Sequence, residues 1–422
     1  MMTRTFFCCF ILSLALSSTL SAAEWYRGNM HMHSFWSDGN VYPEQAVDWY
    51  KDNGYQFVVL SDHTNLQLEQ QRWINVGTTE QWLARFSEYV ERYGQPETRE
   101  VEGRRQVRLH TVHELKKKLD VPGRFLMIPG HEINAATNGV TLHGIAINVT
   151  ETIPFQKGET LSESIDNNAL AVKKNGTDQG HQSLFMMNHP IWPYYDIDPI
   201  SMANAKETVL YEFLCANGGP SAGWDESPRF WNRESLWDIV TAFRIVKGYP
   251  LMYGAGTDDT HDYTNFRDRG DNPGMAWITV RAVKLDADSI VQALKRGDFY
   301  TSNGVEMENI TFDKATGTLS VKAKPVAGVK YRIQFIGTKK NFDQTVVPFE
   351  VEKTDKNPAR KGWTFSKDIG IVLATAEGIE ASYRLKPDDL YVRAVIISDE
   401  KKPIKGGITP EVSTAWTQPF CP

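Results

Sequence analysis

Short apolar runs alternate with amphipathic stretches along the first three hundred positions. The runs are Trp25–Met32, Tyr55–Leu60, Arg124–Ile128, Leu142–Val149, Ser183–Met187, Val209–Leu214 and Leu251–Gly254. Their length and bounding polar residues predict buried strands. Between most of them lie segments with apolar residues at helical spacing. Pro43–Asn53 has proline at its start and Gly54 beyond its end, the asymmetry that suits a helix. Glu80–Tyr93 carries a stripe of Trp82, Leu83, Phe86 and Val90; Leu161–Lys174, Arg233–Lys247 and Asp288–Arg296 read the same way. Strand alternating with helix predicts a parallel sheet with helices outside it. About seven such units predict a barrel whose working face lies at the C-terminal strand ends.

Two segments interrupt this rhythm. Asn65–Leu119 is long and polar and is expected to insert helices between the second and third strands. The stretch from Trp192 to Trp231 is rich in Trp, Tyr, Pro and Gly, as befits a loop over the barrel mouth. After Thr301-Ser302-Asn303-Gly304 the pattern changes to short alternating strands: Thr318–Ala323, Lys330–Ile336, Thr364–Lys367, Tyr383–Lys386 and Leu390–Ile397. Gly, Asp, Asn and Pro punctuate them, which predicts a small all-β sandwich. The expected class is therefore α/β, with three segments: a leader over 1–23, a barrel over 24–305 and a β-sandwich over 306–422.

Composition narrows the picture. The leader has one charge, Arg4, then the apolar run Phe6–Leu16 and the small residues Ser21-Ala22-Ala23. The run is too short to span a bilayer and reads as a secretory signal. Export, to a periplasm or outside the cell, and no stable membrane insertion are expected. The chain carries a formal charge of −6, which argues against a nucleic-acid groove. Cys8 and Cys9 would leave with the leader; Cys215 and Cys421 would remain, and an exported protein can join such a pair. Spacing does not say whether they meet, and nothing in the pattern gives an oligomeric state.

The candidate chemistry sits at the strand ends. Six of the ten histidines are candidate ligands there, with carboxylates among them. His31 and His33 are two apart on one strand, so both rings face one side. Ser37-Asp38-Gly39 follows; Asp38 suits ligation or, equally, a turn before glycine. Asp62-His63 ends the run Phe57–Leu60. Glu132 follows Ile128-Pro129-Gly130, and its two oxygens suit a bridging role. His131 alternates to the other face. His143 lies within an apolar strand, where a lone histidine is more often a satisfied core residue. Asn188-His189-Pro190 ends another run. Asp258-Asp259-Thr260-His261 closes the series and leaves Asp258 and Asp259 as rival ligands. His110, His113 and His181 read as surface residues. Imidazole and carboxylate together hold divalent transition metals, and the repetition at successive strand ends points to a multinuclear site.

The ordered series His-x-His, Ser-Asp-Gly, Ser-Asp-His, Gly-x-Glu, a strand His, Asn-His-Pro and Asp-x-His resembles the polymerase and histidinol phosphatase (PHP) superfamily over roughly residues 26–300. That resemblance implies a distorted seven-stranded (β/α) barrel with two or three divalent metal ions. It further implies that His31, His33, Glu132 and Asp259 hold one metal, Glu132, His143 and His189 a second, and Asp38, His63 and His261 a third. The segments Ala293–Thr301, Tyr391-Val392-Arg393 and Ala415–Pro419 resemble an exported branch of the superfamily with an appended β-sandwich, which includes hydrolases of the aryl carbamate carbaryl. The long insert after His63 and the doubled aspartate depart from the pattern.

The expectation is a metal-dependent phosphoesterase acting on a small ester, with Zn, Mn or Fe as cofactor and with Asp38, His63 and His261 nearest the reaction. A carboxyl or carbamate ester hydrolase using the same metals is the alternative. A non-catalytic, glycan- or surface-binding protein on a degenerate barrel is another. Arg267 and Arg269 suit phosphate contacts or loop salt bridges. Trp192, Tyr194 and Tyr195 suit a leaving-group pocket or loop packing.

Overall fold

The structure, a computed structural model, describes residues 23–190, 197–217, 232–264, 271–352, 360–401 and 412–422. The leader up to residue 22, Trp192, Tyr194, Tyr195, Arg267 and Arg269 lie outside the described residues. Among the described residues no helix is long and apolar enough to cross a membrane.

One sheet of thirteen strands organises the chain. Its strands are β1 (Glu24–Asn29), β2 (Phe57–Leu60), β3 (Leu126–Thr137), β4 (Val140–Ile147), β5 (Leu184–Met187), β6 (Leu210–Cys215), β7 (Tyr253–Thr257), β8 (Trp277–Ala282), β9 (Phe299–Ser302), β10 (Tyr331–Lys339), β11 (Ile371–Glu377), β12 (Asp389–Lys401) and β13 (Val412–Thr417). They lie in the order β7-β6-β5-β4-β3-β2-β1-β8-β9-β13-β12-β10-β11. The helices are α1 (Pro43–Asp52), α2 (Glu80–Tyr93), α3 (Val112–Leu119), α4 (Leu161–Gln179), α5 (Pro199–Asn204), α6 (Arg233–Val246) and α7 (Ala287–Arg296). Thr79, Thr111, Thr160 and Asp286 cap α2, α3, α4 and α7 through their side chains, which supplies acceptors for otherwise orphaned N–H groups. β2, β5 and β6 are buried along their whole length, as continuous apolar strands should be.

The sheet is mixed, which corrects the expectation of parallel strands. β1-β2, β2-β3, β5-β6 and β6-β7 are parallel. β4 runs antiparallel to both β3 and β5. The cause is local. Asn138-Gly139 joins β3 to β4 with both residues at positive φ, 53° and 82°, a tight hairpin turn that favours Asn-Gly. The interrupting segment also differs: besides α2 and α3 it forms a small antiparallel sheet of Trp73–Asn75, Arg104–Arg108 and Thr98–Val101.

The two ends of the run β1 to β7 meet at their C-terminal tips. His33 N–H donates to the Thr260 carbonyl at 2.9 Å, and Asp259 N–H to the His31 carbonyl at 3.0 Å. On β7, the Gly254 peptide is paired by the Gln418 side-chain amide at 2.9 and 3.0 Å. Gly256 admits no side chain: a Cβ there would lie 2.6 Å from Thr301 Cγ2 and 3.0 Å from the Trp277 carbonyl oxygen.

The sheet continues without a break from β9 through β13 into the C-terminal strands. Met307–Asp313, Thr318–Ala323 and Glu380–Arg384 form a second, three-stranded sheet. Ile310, Leu319, Val321 and Tyr383 from it share one core with Ile333, Phe335, Val392 and Ile396 of the large sheet. The predicted strand Thr364–Lys367 lies earlier, at Arg360–Thr364, paired with Val347–Val351. Cys215 and Cys421 are free.

Helix α6 lies between β6 and the C-terminal strands, and a buried charge pair fastens it. Asp238 accepts from Arg393 Nε at 2.8 Å, Arg393 Nη2 at 2.7 Å and Tyr391 Oη at 2.8 Å. Asp238 and Arg393 are both almost fully buried, so removing one charge strands the other. Arg393→Ala is expected to destabilise the fold by about 3–5 kcal/mol, measured by urea unfolding.

Candidate metal centre

Strand geometry places the first pair of histidines. Met30 packs with Phe57 and Val59 and Met32 with Val58 and Leu60, all fully buried, so the two methionines lie on opposite faces of the sheet and regular alternation breaks just after β1; His31 and His33 nevertheless converge, with ring centroids 5.2 Å apart. The chain then turns sharply through Ser34–Gly39. Buried Asp62 holds this turn, accepting from Ser34 N–H at 2.8 Å and Ser37 Oγ at 2.7 Å. Asp38 is thereby projected between two imidazoles, 3.4 Å from His63 Nε2 and 3.5 Å from His261 Nε2.

Glu132 lies inside the long strand β3 rather than at a strand end, and is fully buried. Its Oε1 lies 3.6 Å from His31 Nε2, 3.3 Å from His143 Nδ1 and 3.6 Å from His189 Nε2. Its Oε2 lies 3.8 Å from His33 Nε2 and 2.7 Å from His63 Nδ1. Asn188 Nδ2 donates to Oε1 at 2.8 Å. Asp259 approaches from β7, with Oδ1 3.1 Å from both His31 Nε2 and His33 Nε2. Its Oδ2 accepts from Asn217 Nδ2 at 2.9 Å.

The nine predicted residues thus come together. Three overlapping groups have ligand atoms that all lie within 4.8 Å of one another: His33, Asp38, His63 and His261; His31, His33 and Asp259; His31, Glu132 and His189. The expected trio of Asp38, His63 and His261 gains His33. Glu132 groups with His31 and His189 rather than with Asp259. His143 touches Glu132 but belongs to none of the three.

The donor set fits divalent cations. Every converging atom is an imidazole nitrogen or a carboxylate oxygen. His31 Nε2 and Glu132 Oε2 are buried without a hydrogen-bond partner despite these close neighbours. Lone pairs that face each other in a dry site are what a cation relieves.

Protons do that work in the metal-free site. Burial opposes charge on His63, yet the nearby carboxylates of Asp38 and Glu132 raise it to about 11. Burial likewise opposes His261, which Asp38 and Asp259 raise to about 9. Burial also opposes His31, which the carboxylates of Asp259, Glu212 and Glu132 lift well above its usual value. His33 goes the other way, down to about 4, through burial and the charge of His261. Burial would raise Asp38, Glu132 and Asp259, but the surrounding imidazoles hold all three below the usual carboxylate range.

The doubled aspartate divides its roles. Asp258 is buried and accepts from the backbone N–H groups of Gly274, Met275 and Ala276, each at 2.8 Å, from Asn29 Nδ2 at 2.6 Å and from Tyr50 Oη at 3.0 Å. Both of its oxygens are committed to scaffold, while Asp259 faces the histidines.

His131 turns away, as alternation requires, and its Nε2 accepts from Ile153 N–H at 2.9 Å. His113 is exposed. His110 is not the surface residue expected: it is half-buried and its Nδ1 bonds to buried Glu44, which also accepts from Tyr89 Oη at 2.8 Å. The insert packs onto α1, and a carboxylate buried there needs partners. His181 is half-buried too, with Nε2 enclosed.

Sequence reasoning missed three residues that touch the cluster. Asn134 sits between two rings, with Oδ1 2.8 Å from His63 Nδ1 and Nδ2 3.1 Å from His143 Nδ1. Asn217 reaches Asp259. Glu212, fully buried on β6, contacts His31 and the His189 backbone. Its signal was present: a single acid inside the apolar run Val209–Leu214.

No protein-family profile matches the chain, and no curated protein does. Among solved structures it is similar to a two-domain protein from Bacteroides vulgatus containing a predicted PHP-like metal-dependent phosphoesterase. That match has 15% identity over 94% of this chain and 96% of that one, with a TM-score of 0.36. It is also similar to an inferred metal-dependent phosphoesterase from Bifidobacterium adolescentis, at 13% identity over 58% of this chain and 89% of that one, with a TM-score of 0.31.

Two outcomes are expected. Asp258→Asn should destabilise the chain by about 1–3 kcal/mol through its stranded N–H donors, while Asp259→Asn should chiefly reduce bound metal; urea unfolding beside metal analysis separates them. Raised histidines stabilise the fold fully below their unfolded value near 6.5, and that contribution disappears as pH climbs through the folded values. Metal-free protein should therefore lose melting temperature from about pH 6.5 upward, with the His261 contribution gone above about 9 and the His63 contribution above about 11. Asp38→Asn should flatten that decline.

Proposed function

We propose that this chain is an exported metal-dependent phosphoesterase of the PHP type, hydrolysing a small phosphate ester. The observation that carries the reading is the convergence of eight imidazole and carboxylate residues into three overlapping groups linked through His31 and His33, with His143 3.3 Å from Glu132 beside them. A distorted seven-stranded barrel for the run β1 to β7, a β-sandwich for the C-terminal layers and a signal peptide over residues 1–23 belong to the same reading.

Exposure grades the cluster. The side chains of His31, His33, Glu132, His189 and Asp259 are at most 3% exposed. Asp38, His63 and His261 are 56%, 29% and 21% exposed. Substrate therefore arrives at the Asp38 side. Two or three divalent ions, of zinc, manganese or iron, would supply Lewis acidity and lower the pKa of the attacking water. The protein's own part is to orient and to move protons. His63 and His261 both present Nε2 to Asp38. Whichever of the two is not committed to a metal ion can protonate a departing ester oxygen. The dry inner groups keep competing water from the buried carboxylates.

The test is a substrate panel on protein loaded with manganese, zinc or iron. Aryl phosphate monoester and diester are compared with aryl acetate and aryl methylcarbamate. Phosphate-ester turnover that chelation abolishes is expected, and His261→Gln should lower it by roughly 10²-fold or more. Carboxyl- or carbamate-ester turnover without phosphate-ester turnover would overturn the phosphoesterase reading in favour of the other ester class.

A further inference from the structure

Glu212 is buried in the middle of β6, among Leu210, Tyr211, Phe213 and Leu214. A carboxylate in such a place needs every acceptor site used. Its partners all come from elements that carry the metal cluster. His31 Nδ1 lies 2.9 Å from Oε1, Thr257 Oγ1 donates to the same oxygen, and His189 N–H donates to Oε2 at 2.7 Å.

We propose that Glu212 is a positioning residue of the metal centre: it fixes His31 with its proton on Nδ1 and its Nε2 facing the cluster, and at the same time anchors the backbone of His189. This rests on the metal-binding reading above. Three observations combine. An ionised carboxylate only accepts, so the short contact to His31 Nδ1 places a hydrogen there. The opposite atom, Nε2, is buried without a hydrogen-bond partner and faces Asp259 Oδ1 at 3.1 Å and Glu132 Oε1 at 3.6 Å, and His31 belongs to two of the three ligand groups. Finally, His189 sits at φ 23°, a conformation that a side chain resists, and its N–H to Glu212 helps to hold it there. One carboxylate thus ties together ligands delivered by β1 and by the turn after β5, with Thr257 of β7 as third anchor.

Glutamine at this position tests the idea because it keeps the shape and changes the hydrogen-bond code. An amide has one accepting oxygen where the carboxylate has two. The backbone N–H of His189 cannot change its role. If the amide oxygen serves it, the amide NH₂ faces His31 Nδ1 and drives the imidazole proton to Nε2, which removes that atom as a ligand. If the oxygen serves His31 instead, the NH₂ opposes the His189 N–H and releases the strained turn. Either way the metal groups are disturbed with little change in packing.

The experiment compares wild type with Glu212→Gln in zinc titrations against a chromophoric chelator and in ¹⁵N-labelled spectra of the histidine ring protons. Zinc affinity should fall roughly 10–100-fold. A slowly exchanging His31 Nδ1–H resonance should be present in wild type, both metal-free and zinc-loaded, and be lost or shifted in the variant. Zinc affinity within twofold of wild type, or a wild type without that Nδ1–H signal, overturns the proposal. A melting temperature that falls while affinity and ring signal stay unchanged overturns it too, since it leaves Glu212 only a packing role. If wild type itself takes up no zinc, the metalloenzyme reading fails, and the ring signal still decides whether Glu212 sets the His31 proton.

Discussion

Everything in this molecule is arranged around one electrostatic problem: three carboxylates and six imidazoles crowd together, with His31, His33, Glu132, His189 and Asp259 in a nearly dry space and Asp38, His63 and His261 at its open side. In such a medium an unbalanced charge is costly by several kcal/mol. Without a cation, protons on His31, His63 and His261 balance Asp38, Glu132 and Asp259. With a cation, the proton on each ligating nitrogen must leave. Metal affinity and protonation are thus two faces of one equilibrium, and the surrounding structure serves to keep the lone pairs aimed inward in either state.

That aim is kept by buried acids that are not themselves among the proposed ligands. Asp62 shapes the turn that carries Asp38, Asp258 gathers three consecutive backbone N–H groups behind β7, and Glu212 ties His31 to the turn at His189. Two candidate ligands, His189 and Asp259, adopt positive φ. Such conformations persist where surrounding bonds over-determine them. Here the His189 N–H is taken by Glu212, and the Asp259 N–H by the His31 carbonyl. The C-terminal strands extend the same logic outward: the Asp238–Arg393 pair fastens α6, and Gln418 pairs with Gly254 on β7.

Legibility from sequence followed the range of each interaction. Helices α1, α2, α6 and α7 begin and end within a residue or so of where caps and apolar stripes put them, because caps and stripes are local. The Asn138-Gly139 turn was equally local and was passed over in favour of a regular strand–helix rhythm, which made the sheet wrongly parallel. His110 was misplaced for the opposite reason. Its partner Glu44 is far away in sequence, and only the packing of the insert against α1 brings them together.

The sequence by itself determined which residues could form a metal centre, because ligand chemistry is a property of side-chain type and alternation along a strand decides which side each one faces. It also determined that they recur at successive strands. Only the tertiary structure decided how they are shared: that His33 joins the Asp38 group, that Glu132 pairs with His189 more closely than with Asp259, that Asp258 is scaffold, and that Glu212 stands beneath His31. Those distinctions rest on small differences in distance between atoms that can lie far apart along the chain. Composition and periodicity fix facing, not distance; distance comes from the sheet bringing β1 and β7 together at their tips.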